Sequence, residues 1–103
     1  MSRESEIYMD FKRAKEAADQ LDAIAANISK VSTGNLSTAR NTLLASWECP
    51  SANAFQNKGQ ILQDNIMKTA STIRTIASGI RSEAKRLYEA EQKALAIASR
   101  RDS

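Results

Sequence analysis

The sequence predicts an all-α fold, a long antiparallel helical hairpin that dimerises into a four-helix bundle. Three observations carry this. Apolar residues recur at steps of 3 and 4 through both halves of the chain, which is the spacing of a single helix face. The single Pro and the single Trp fall together near the middle, in Trp47-Glu48-Cys49-Pro50-Ser51. Turn residues are otherwise scarce, three Gly against seventeen Ala, whereas a sandwich or barrel needs a turn signal about every 10 residues. With 103 residues the chain forms one domain. The expected layout is a helix over about 5–46, a turn over about 47–50, a helix over about 51–98 and a frayed polar tail over 99–103.

In the first half, Ile7, Phe11, Ala14, Ala18, Leu21, Ala25 and Ile28 step by 4 and 3 without a fault. The register then slips. Val31 and Leu36 are five residues apart with Thr33-Gly34-Asn35 between them, and Leu36, Ala39 and Leu43 restore the helical spacing. This predicts one long helix with a kink or bulged turn near Gly34, or a break into two helices.

Proline is accepted at the first helical position and resisted inside a helix. The second helix therefore starts near Pro50, with Cys49 or Ser51 as its cap, Ser being the better cap by chemistry. Its seam is read as Phe55, Gly59, Leu62, Ile66, Thr69, Ile73, Ile76, Ile80, Ala84, Leu87, Glu91, Ala94 and Ala98. The strongest seam positions of the two helices are Phe11, Leu21, Ile28, Leu43, Leu62, Ile66, Ile73, Ile80 and Leu87. A two-helix hairpin buries one stripe per helix. Tyr8, Ile24, Leu44, Met67 and Leu95 are then left facing water, and leftover apolar surface of that extent marks a partner interface.

The composition closes off much chemistry. One Cys excludes an internal disulfide and a cysteine zinc site. No His is present to shuttle protons or bind a metal. Ser82 and Lys85 match a serine-x-x-lysine pattern, but its companion motifs are missing and the pair reads as solvated helix surface. Cys49 has no His to activate it and reads as a turn residue. Glu89 and Lys93 form a helix-supporting pair at i and i+4. Arg74, Arg81, Lys85, Arg86 and Lys93 lack the aromatics or compact recognition helix of a nucleic-acid binder. The chain is therefore expected to be no enzyme, to carry no cofactor or metal, and to bind no nucleic acid. The start, Met-Ser-Arg-Glu-Ser-Glu, has no apolar h-region. No uncharged run reaches the ~18 residues of a membrane span, so stable membrane insertion is not expected. Trp47 either packs the hairpin tip or offers its ring to a partner.

Length, hairpin layout and a central Trp-x-small turn resemble the WXG hundred-residue family, the ESAT-like small proteins of type VII (Esx/Ess-type) secretion systems. The resemblance lies in Trp47-Glu48-Cys49 followed by Ala54-Phe55-Gln56-Asn57-Lys58-Gly59. It continues in Ala84-Lys85-Arg86-Leu87-Tyr88-Glu89-Ala90-Glu91 and Ala94-Leu95-Ala96-Ile97-Ala98. The pattern is nearest to members from Gram-positive Firmicutes. Two departures stand out. The family's Gly is Cys49 here. The family's Tyr-x-x-x-Asp/Glu export signal is altered, since Gln92 follows Tyr88 at the acidic position, Tyr88-x-x-Glu91 is one residue short, and Leu87-x-x-x-Glu91 lacks the aromatic.

The resemblance implies a non-enzymatic protein that leaves a cytoplasmic pool without a cleavable signal peptide. Its implied partners are itself, as a homodimer, or a similar hairpin, together with the membrane ATPase of the secretion system and, for escorting members, a larger toxin effector. It also implies a composite recognition surface, with Trp47 and Phe55 of one hairpin beside Tyr88 and Glu91 of its partner. The alternative is a helical-bundle adaptor that stays in the cytoplasm.

Overall fold

The computed structural model describes residues 2–46 and 50–102. It is an all-α helical hairpin, with no strand among the described residues. The elements are α1 (Arg3–Lys30), a six-residue π-helical segment (Val31–Leu36), α2 (Ser37–Ser46) and α3 (Pro50–Asp102).

The ends of the helices follow from local chemistry. Ser2 caps α1, its Oγ accepting from the Ser5 backbone N–H at 3.1 Å, and Glu4 and Glu6 lie in the first turn, where the helix dipole favours anions. Pro50 opens α3, at the end of a helix where its missing N–H costs nothing. At the other end α3 runs to Asp102, so the residues expected to fray from 99 onward are helical up to that point. Arg100 and Arg101 sit in that last turn, where cations suit the dipole.

The slip between Val31 and Leu36 is taken up by the π-helical segment. The flanking residues Lys30 and Ser37 keep ordinary right-handed helical angles, near −63°/−40° and −62°/−43°. The helix therefore neither stops nor reverses here. Gly34 has no positive φ, and a Cβ added there would meet nothing within 4 Å.

The helices assort into two compact units. A terminal unit comprises the chain up to Leu21 and from Thr75 onward, and a central unit comprises Asp22–Arg74. In the terminal unit α1 and α3 run antiparallel, tied by Arg3 to Glu91 at 3.4 Å and by Arg81 to Asp19 at 2.7 Å. Ile7, Ala18 and Ala77 are buried in its seam, with Phe11, Ala14, Leu21, Ile80, Ala84 and Tyr88 half-buried. In the central unit the same antiparallel sense is set by Arg74 donating to the Ser29 hydroxyl at 3.2 Å and Ser32 donating to the Gln63 carbonyl at 3.3 Å. Ala25, Ala70 and Ser32 are fully buried there, beside half-buried Ile28, Leu36, Ile66 and Ile73. Small residues at these contacts let two helices approach closely.

Three residues assigned to the seam lie outside it. Leu43, Leu62 and Leu87 are exposed, and their neighbours Leu44, Gln63 and Tyr88 turn inward in their place. Ala70 and Ala77 likewise replace Thr69 and Ile76. The apolar pattern of α3 contains two stripes one residue apart, and the one richer in small side chains is against α1. Of the leftover apolar residues, Tyr8, Ile24 and Met67 face solvent, whereas Leu44 and Leu95 are half-buried.

Candidate functional site

The central unit carries an apolar flank. Ser29 on α1 and Arg74 on α3 meet across the seam and so mark one side of the pair. Helical phase, 100° per residue, puts Ile24, Ile28 and Val31 on the opposite side of the α1 strand. It puts Leu62, Ile66 and Ile73 on the opposite side of α3. The two sets therefore share one flank. Ile24, Val31 and Leu62 are each about half exposed, at 48%, 51% and 51%. The Ser29–Arg74 flank is polar by comparison, with Asp22 also on it.

The same unit holds a polar layer inside its seam that sequence reasoning missed. Gln63 donates its amide to the Ser32 carbonyl at 3.0 Å, and its side-chain oxygen accepts from Arg40. Arg40 also donates to the Gln56 carbonyl at 3.1 Å and to Gln60 at 3.4 Å. Its Nε is buried and makes no hydrogen bond among the described residues. Gly59 makes room for it, since a Cβ there would lie 2.8 Å from Arg40 Nε. The available signal was a Gly at a seam position in a chain whose other seam positions all carry a side chain.

The residues assigned to recognition are dispersed. Trp47, Glu48 and Cys49 lie outside the described residues. Phe55 belongs to the central unit and is exposed, at 46%. Tyr88 and Glu91 belong to the terminal unit and are engaged within it. Tyr88 stacks on Phe11 with ring centroids 4.7 Å apart and meets Tyr8 edge-on at 6.5 Å. Its hydroxyl accepts from Gln92 at 2.9 Å. Lys15 lies 5.6 Å over the Phe11 ring, within cation–π range. Glu91 accepts from Arg3. Gln92, four residues after Tyr88, thus serves it locally.

The remaining candidates are surface groups. Ser82, Lys85, Glu89 and Lys93 are exposed. Glu83 and Arg86 are paired, and the hydrogen bond from Arg86, then its charge, holds the Glu83 carboxyl below the usual glutamate range. No cluster of metal-ligating side chains occurs among the described residues, and none of their helices is long and apolar enough to cross a membrane.

The chain matches no family model, no curated protein and no solved structure.

Proposed function

We propose that the chain is a secreted substrate, or an effector-escorting partner, of a type VII secretion system, and that it acts by pairing helical hairpins without catalysis. The apolar flank of the central unit is the observation that carries the reading. Half-exposed Ile24, Val31 and Leu62 leave a helix surface that a second helical hairpin would cover, and a four-helix bundle is the simplest closed arrangement. The WXG-like turn sequence and the hundred-residue hairpin layout supply the link to export. In this reading Trp47 and exposed Phe55 of one hairpin face Tyr88 and Glu91 of its partner. Those two residues are held in place by Phe11 and Arg3 instead of trailing on a free tail.

Export is tested in the native host by comparing culture supernatant with lysate, with and without the secretion ATPase. Protein outside only when the ATPase is present supports the proposal. Protein confined to the lysate in both strains moves the reading to a cytoplasmic bundle adaptor. Trp47→Ala separates the two uses of that residue, with unchanged helicity and lost export expected for a recognition role, and normal export for simple packing.

A further inference from the structure

The apolar seam of α3 repeats itself. Ile66-Ala70, Ile73-Ala77 and Ile80-Ala84 succeed one another every seven residues. Against a partner helix that also repeats by heptads, such a stripe packs nearly as well after a slide of one heptad. The short link between Ser46 and Pro50 already resists that slide, since helix must unwind at one end of it, and the seam holds a second selector. In the central unit the only fully buried polar side chain among the described residues is Ser32, and it sits in the layer formed with Gln63, Arg40, Gln56 and Gly59.

We propose that this layer is a register lock for the hairpin. Gln63 is its keystone, because its amide nitrogen serves Ser32 and its amide oxygen serves Arg40 at once. Gly59 is the hole through which the Arg40 side chain passes. A slide in one direction brings Ala70 to the place of Gln63 and Ile66 to the place of Gly59. The buried carbonyl and the guanidinium then lose their amide, and the guanidinium meets a branched side chain. A slide in the other direction brings Gln56 to the place of Gln63, which serves Ser32 equally well. It also brings Ala52 to the place of Gly59, and a Cβ at that place falls on Arg40. The amide excludes one slip and the glycine excludes the other. A polar group at a single seam position is an established means of fixing register between helices. The lock is independent of whether the hairpin is exported.

Disulfide trapping in the full chain tests it, with Cys49→Ser removing the native thiol. The observed register, in which Ser32 meets Gln63, sets Ala25 opposite Ala70. The pair Ala25→Cys with Ala70→Cys reports that register, and Ala25→Cys with Ala77→Cys reports the slipped one. Mild oxidation followed by mass measurement separates cross-links within a chain from those between chains. With the layer intact, only the 25/70 pair is expected to close within the chain. With Ser32→Ala, Arg40→Leu and Gln63→Leu together, helicity is expected to persist and the 25/77 cross-link to appear. Exclusive 25/70 closure in that variant overturns the proposal, as does 25/77 closure in the intact chain. If the triple variant loses its helicity, Arg40→Leu with Gln63→Leu, which keeps Ser32, is read by the same two pairs, with the same outcomes deciding.

Discussion

Phe11 of α1 and Tyr88 of α3 stack with their ring planes 24° apart and their centroids 4.7 Å apart. This is the densest aromatic contact among the described residues, and it closes the antiparallel pair of the terminal unit. Aromatic pairs of this kind add about 0.5–1.5 kcal/mol beyond the apolar area they bury. Tyr88→Ala is therefore expected to cost about 2–4 kcal/mol, counting the lost ring area and the cavity left behind. Tyr88→Phe removes only an exposed hydrogen bond to Gln92 and is expected to cost less than about 0.5 kcal/mol. Urea denaturation followed by circular dichroism measures both. Equal losses in the two variants would put the weight on the hydroxyl instead of the ring.

Gly59 and Arg40 give a prediction whose sign depends on background. Gly to Ala inside a helix ordinarily gains about 1 kcal/mol. Here the new methyl meets Arg40 Nε and Cδ, so the guanidinium must leave its partners on Gln56 and Gln63. Hydrogen bonds from a charged donor are worth about 1.5–3 kcal/mol, so Gly59→Ala alone is expected to destabilise. In an Arg40→Ala background the same change is expected to stabilise by about 1 kcal/mol. A double-mutant cycle on denaturation midpoints checks the reversal, and stabilisation in both backgrounds would show that Arg40 yields without loss.

Much of the fold was legible because α1 offers one stripe. From Ile7 to Ile28 one apolar series steps by 4 and 3 without a fault, and its face is the buried one, with Tyr8, Met9 and Ile24 left outside it. On α3 periodicity alone could not decide. Leu62, Thr69 and Ile76 have the same spacing as Gln63, Ala70 and Ala77, with Ile66, Ile73 and Ile80 common to both stripes. Hydrophobicity favours the first set, while close helix approach and the polar layer favour the second, and the second is buried. Gln63 and Arg40 read as surface residues in a one-dimensional pattern, since nothing in their own neighbourhoods announces a partner more than twenty positions away. The slip at Gly34 was visible as a break in spacing, but the spacing alone does not distinguish a kink from a π-turn.

The exposed stripe makes an association prediction. Ile24→Glu and Leu62→Glu each place a charge on the apolar flank without touching the buried seam. Helicity is expected to hold, and the stability of the hairpin to change by no more than about 0.5 kcal/mol. Sedimentation velocity is expected to show the parent chain associating and both variants as monomers. A parent chain that stays monomeric at all concentrations would remove self-pairing and leave a different hairpin as the partner.

Glu83 provides a titration prediction. Its carboxyl is held low by the hydrogen bond from Arg86 and then by that cation's charge. A depressed carboxyl contributes stability above its unfolded value of about 4.3, and the contribution is lost as pH falls through the folded value. The pair is fully exposed, so the effect on unfolding is small. Carbon NMR titration is the direct measurement. The Glu83 midpoint is expected below that of an isolated glutamate, and Arg86→Met is expected to return it to the ordinary value. An unchanged midpoint in that variant would mean the two side chains do not meet in solution.

The π-helical segment at Val31–Leu36 also bears on how the chain tolerates changes in length. A π-turn spans one residue more than the α-turn it replaces, so it absorbs a single inserted residue while the helix on either side keeps its heading. Removing Gly34, which touches nothing that a side chain would need, would convert the segment to ordinary α-helix and draw the slack out of the strand. The first arm of the hairpin thus has a place where its residue count can be edited by one, a freedom that proteins usually confine to loops.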